Sequence, residues 1–163
     1  MLYLWGYLLS IVLANVLVVT VGVIPVGFGL VAPAGVLAAG LSLSLRDGVQ
    51  ERWGREWTVI AIAVGALLSA SLSASLAWAS FVAFIVSELA DFAVYTPLRE
   101  RGRLRALVAS NCVGLVVDSA LFLWLAFGSW AFLPGQVVGK LWMTLLSVVV
   151  LALWRRPRWL TKS

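Results

Sequence analysis

The chain has 163 residues, of which 63% are hydrophobic and only 12% charged. Water-soluble domains carry roughly twice that share of charge, so a bilayer is the solvent expected for most of this surface. A single cysteine and no histidine exclude an internal disulfide, a cysteine–histidine metal cage and a histidine proton carrier, and no cofactor is implied.

The chain is apolar from Leu2 onward and has neither a basic n-region nor a small-residue cleavage site, so the first segment, 2–24, reads as a retained span. The second apolar segment, 27–45, contains Pro33, Gly35 and Gly40. Further segments cover 58–76, 78–98, 104–127 and 134–154. These are continuous apolar runs without the alternation of a barrel strand, and an open strand edge is not stable in lipid. The fold class predicted is an all-α membrane protein, one domain over 1–163 with six transmembrane helices.

Basic residues follow every second span: Arg46, Arg52 and Arg55, then Arg99, Arg101, Arg103 and Arg105, then Arg155, Arg156, Arg158 and Lys162. The connections around Pro25, Ala77 and Ser129 hold none. The positive-inside bias makes the basic side cytoplasmic and puts both termini inside, as expected of a multi-pass protein of the inner (plasma) membrane. The net charge of +5 is thus a mark of topology and not of nucleic-acid binding. Trp5, Tyr7, Trp53, Trp57, Trp78, Trp130, Trp154 and Trp159 fall near the predicted borders, where amphipathic rings anchor.

Gly6, Ser10 and Ala14 repeat at four-residue spacing in the first span, and Gly65, Ser69 and Ser73 in the third. Such faces let helices approach closely. Packing within the bundle is the favoured use, with a docking face for a partner subunit as the alternative.

Ionisable groups within spans carry the functional signal. Glu88 and Asp91 lie in the fourth span, Asp118 in the fifth and Lys140 in the sixth. Each costs at least ~2.5 kcal/mol at a helix centre, so such groups usually mark a ligand or ion path. Glu88 and Asp91 share a helix face, as do Asn111, Gly114 and Asp118, and Gln136 and Lys140. Counted from the nearest basic cluster, Glu88 lies at a depth of roughly 16 Å, Asp118 at roughly 20 Å and Lys140 at roughly 22 Å. These depths allow one shared polar cavity, with Lys140 expected to pair with Asp118 or Glu88. The competing reading is an ion-pair network that only holds helices together, a weak role because desolvation offsets attraction. Arg46 and Asp47 read as a simple charge pair at the membrane border.

The run Ser87-Glu88-Leu89-Ala90-Asp91-Phe92-Ala93-Val94-Tyr95, leading to Leu98-Arg99, resembles the fourth-helix motif of the queuosine precursor transporters, also called the vitamin uptake transporter family. Ser110-Asn111, Gly114, Asp118-Ser119, Phe122, Ala126-Phe127-Gly128 and Lys140 continue the resemblance, and Arg46-Asp47 followed by Gly54 is similar to the end of that family's second helix. The likeness implies six helices arranged similarly to the substrate-binding subunits of energy-coupling-factor transporters. It implies import of 7-deazaguanine bases, chiefly the nitrile preQ0 and the aminomethyl preQ1. The chain is short beside that family, with trimmed loops.

The residue chemistry is compatible with such a ligand. A carboxylate of Glu88, Asp91 or Asp118 can accept two adjacent N–H donors from a guanine-like edge. Asn111 and Gln136 offer both donor and acceptor atoms, and Phe122, Trp124 and Trp142 are flat rings on which a base can stack. The candidate substrate-binding residues are therefore Glu88, Asp91, Asn111, Asp118, Gln136 and Lys140. The chain has no Walker-type phosphate loop, so a separate energising subunit, protons or downstream trapping are the alternatives for driving uptake. Homo-oligomerisation is left open as well. The alternative function is a substrate-binding subunit of a multi-component importer for another vitamin-like molecule. An enzyme finds no nucleophile–base pair to support it, and a purely structural membrane protein leaves the buried acids without a role.

Overall fold

The computed structural model describes residues 2–98, 100 and 102–154; Arg99, Arg101, Arg155, Arg156, Arg158, Trp159 and Lys162 lie outside the described residues, as do the side chains of Asp47, Arg55, Arg103 and Trp154. The elements run α1 (Leu2–Thr20), β1 (Val23–Gly27), β2 (Leu30–Pro33), α2 (Val36–Trp53), α3 (Arg55–Ala70), α4 (Ala74–Leu98), α5 (Arg103–Phe127) and α6 (Leu133–Trp154). Helix dominates, and α1, α4 and α5 are each long and apolar enough to cross a membrane, with α3 a shorter apolar helix. Many large apolar side chains point outward, among them Leu9, Leu67, Leu89 and Leu145, as a lipid-facing surface requires.

Two departures from the sequence reading matter for the site. The first concerns residues 23–33, assigned there to the end of the first span and the start of the second. They form an antiparallel hairpin, pairing Val23 with Pro33, Ile24 with Ala32, Pro25 with Val31 and Gly27 with Leu30. The loop residues Phe28 (φ +54°) and Gly29 (φ +72°) both have positive φ, as a two-residue type I′ turn demands. Pro25 and Pro33 remove backbone donors that a helix would need, and the β-branched residues between them favour an extended chain. The hairpin avoids the cost of open edges by lying on α6. Trp142 Nε1 donates to the Val26 carbonyl at 3.2 Å, and the Phe28 ring stacks on Trp142 with centroids 6.3 Å apart. Gly135 sits so close beneath β2 that a Cβ there would lie 2.1 Å from the Val31 oxygen.

The second departure is the end of α2. The sequence reading stopped this span at Leu45, before the first charge. The helix continues through Arg46 to Trp53 and ends at Gly54 (φ +87°), whose N–H donates to the Gln50 carbonyl at 2.9 Å. No proline or glycine pair interrupts 41–53, and a charge by itself does not end a helix.

The bundle closes through small residues. Gly6 of α1 lies against Leu45 of α2, Gly35 meets the Ala14 carbonyl, and Gly65 of α3 receives Ile11. Ser10 is buried and donates to the Tyr7 carbonyl at 2.7 Å. The Gly6/Ser10/Ala14 face thus packs within the chain, as the favoured reading has it. α4 packs along α5 and α3, while α6 lies against α2 and the hairpin. Tyr7, Val49, Ala61 and Ile62 form a buried cluster between α1, α2 and α3.

Candidate functional site

α6 approaches α2 at Gly40, where a Cβ would lie 2.6 Å from the Met143 Cβ and 3.1 Å from the Lys140 Cα. That contact, open only to glycine, buries Lys140 to 2% exposure. A lone ammonium at such a depth needs acceptors. It finds them on α5: Lys140 Nζ donates to the Asp118 carboxylate and to Ser119 Oγ, the latter at 3.0 Å. Of the two partners expected for Lys140 from sequence, Asp118 is the one it meets.

Glu88 has a different partner. The Arg46 guanidinium donates to Glu88 Oε1 and lies over the Phe84 ring, 5.6 Å from its centroid. Arg46 thus reaches an acid on another helix, beyond the border pair expected from sequence, while the Asp47 side chain lies outside the described residues. The extra length of α2 explains the change. Arg46 is seven residues from Trp53 and Glu88 ten from Leu98, so the two lie about 10 and 15 Å from their helix ends, a difference an extended arginine spans.

Asp91 is left over. Among the described residues its carboxylate has no hydrogen-bond or ion-pair partner. It faces α5 at Gly114, where a Cβ would stand 3.5 Å from the Asp91 Cβ and 3.8 Å from Oδ1. A glycine here keeps a side chain from filling the space beside the acid.

These groups surround a cavity of about 240 Å³ between α2, α4, α5 and α6. Arg46, Glu88, Asp91, Asn111 and Asp118 line it, with Ser87 and Thr144. An engineered cavity of about 150 Å³ holds benzene, so a small fused bicycle fits here. A smaller cavity of about 100 Å³ lies toward the hairpin end of the bundle, with Asn15, Ser42, Ser80, Phe81, Phe84 and Phe122 in its wall. Asp118 and Leu43 belong to both walls, so the Lys140–Asp118 pair stands between two chambers.

Of the six residues expected to bind substrate, Glu88, Asp91, Asn111 and Asp118 line the larger cavity together. Lys140 lies behind Asp118 and outside the lining. Gln136 is buried one turn before Lys140, in the described lining of neither cavity, and its Oε1 has no partner among the described residues. Among the candidate rings, Trp124 stacks on Trp130 at 4.9 Å and Trp142 carries the hairpin, leaving Phe122 as the one that faces a chamber. Sequence reasoning missed Arg46, Ser87, Ser119 and Thr144. Arg46 was legible in part, since nothing in 41–53 breaks a helix.

Residues 68–157, more than half of the chain and including α4, α5 and α6, match the family described as Putative vitamin uptake transporter. No curated protein and no solved structure matches the chain. All six candidate residues fall within the matched stretch. By the extent of that match, the chain is a member of the vitamin uptake transporter family.

Proposed function

We propose that the chain is an inner-membrane importer of queuosine precursors, 7-deazaguanines such as preQ0 and preQ1, with six spans and both termini in the cytoplasm. The observation that carries this reading is the larger cavity, whose largely apolar wall brings together three carboxylates, two of them ion-paired. Groups this expensive to bury are explained by a solute that needs them.

In this reading the ligand lies flat between α4 and α5. Its guanine-like edge offers two adjacent N–H donors to a carboxylate, and Asn111 answers the carbonyl. Asp91 is the acid with both oxygens open to such a contact. Glu88 and Asp118 are held in place by Arg46 and Lys140, so they shape the wall while keeping lone pairs for the ligand. Movement of α5 against α6 at the Lys140–Asp118 contact would join one chamber to the other, an alternating-access step of small amplitude. Contact of Gly6 with Leu45 and of Ala14 with Gly35, and burial of Ser10 between them, support an importer that works as one chain over a subunit docked through that face.

The test is uptake of labelled preQ1 in cells that can neither make nor import queuosine precursors, read as queuosine in tRNA. The wild-type chain restores the modification, and Glu88→Gln and Asp118→Asn abolish it at equal membrane levels. Rescue by both variants would remove these acids from the site, and no rescue by the wild type would remove the substrate.

A further inference from the structure

Among the described residues, the formal charges around the larger cavity do not balance. Three carboxylates, Glu88, Asp91 and Asp118, belong to its wall. Two cations reach them, Arg46 to Glu88 and Lys140 to Asp118. The third carboxylate, Asp91, is left without a cation and meets no donor among the described residues. Gly114 opposite presents backbone without a side chain, so α5 supplies no donor at that point. The other polar groups of its described wall, Ser44, Ser87, Asn111 and Thr144, are uncharged.

From this we infer that the cavity selects a ligand bearing a single positive charge, and that Asp91 sets the selectivity. An uncompensated carboxylate in a low-dielectric chamber is unfavourable. A monocation restores neutrality and gains a charge-assisted hydrogen bond. A neutral ligand of the same shape leaves the charge uncompensated, and an anion adds a second like charge. The inference takes the location of the site from the proposed function. Within that reading it ranks the protonated aminomethyl deazaguanine above the neutral nitrile.

Cys112 supplies an independent probe, because the chain's one cysteine lines the same cavity. The first arm measures labelling of Cys112 in the intact protein by a cationic and an anionic methanethiosulfonate reagent, each rate normalised to its reaction with a free thiol. The cationic reagent should label about tenfold faster or more, and Asp91→Asn should bring the ratio close to one, whereas Asp91→Glu should keep it. The second arm measures competition between preQ1 and preQ0 for uptake. preQ1 should win by about tenfold or more, and Asp91→Asn should erase that preference.

Equal labelling by the two reagents, or a ratio unchanged in Asp91→Asn, overturns the inference. So does equal uptake of the two bases by the wild type. If neither base is taken up while the labelling ratio and its dependence on Asp91 hold, the substrate proposal fails and the cation selectivity stands. Should Asp91→Asn fail to fold, the wild-type labelling ratio decides.

Discussion

Arg46 and Glu88, forty-two positions apart in sequence, form an ion pair that ties α2 to α4 at the wall of the larger cavity. Neither helix touches the other through an extensive apolar seam. The pair therefore fixes the width of the chamber on that side, and the Phe84 ring beneath the guanidinium keeps it from swinging away.

Arg46→Gln is expected to lower thermal stability in detergent by about 1–3 kcal/mol, between the values for exposed and buried pairs, because the two side chains are 16% and 30% exposed. Arg46→Gln combined with Glu88→Gln should recover part of the loss, since the second change removes the stranded charge. A double variant as unstable as the sum of the singles would show that the two groups do not interact.

Lys140→Ala should cost more, about 3–5 kcal/mol, because Lys140 is 2% exposed and its removal strands Asp118 next to Ser119. Lys140→Met with Asp118→Asn should recover much of that loss. The measurement is the melting temperature of the purified protein, and an unchanged value for Lys140→Ala would mean that the ammonium is not bound to Asp118.

Gly135→Ala tests the seat of the hairpin. The added Cβ would lie 2.1 Å from the Val31 carbonyl, so β2 must lift off α6 or the helix must shift. A loss of about 1–3 kcal/mol is expected, with a change in the fluorescence of Trp142 as the Phe28 stack and the Val26 hydrogen bond are disturbed. Gly29→Ala, strained by its φ of +72° but free of neighbours, should cost about 1–2 kcal/mol and leave that fluorescence unchanged.

Reporters test the proposed topology. A fusion inserted after Gly29 in the hairpin should read periplasmic, and one placed after Ser163 should read cytoplasmic. The reverse pattern, or both on one side, would overturn the six-span arrangement.

The long apolar runs at 78–98, 104–127 and 134–154 were enough to foresee α4, α5 and α6, because a helix in lipid is a local solution that satisfies its own backbone. The hairpin was not foreseen. Its prolines and glycines weaken a helix, but only docking on Gly135 and Trp142, more than a hundred residues away, makes two short strands a stable alternative. The same limit applied to Gln136 and Lys140, which share a helix face yet both lie outside the cavity lining, since the close contact at Gly40 turns that face into the interior.

By itself, the sequence determined that the chain is apolar enough to need a bilayer, that most of it is helical, and that acids and a lysine fall within its apolar runs. It could not say which acid meets which base. Each pair joins residues on different helices, through contacts that exist only once the helices are packed together, and among the carboxylates of the larger cavity those contacts leave Asp91 without a described partner.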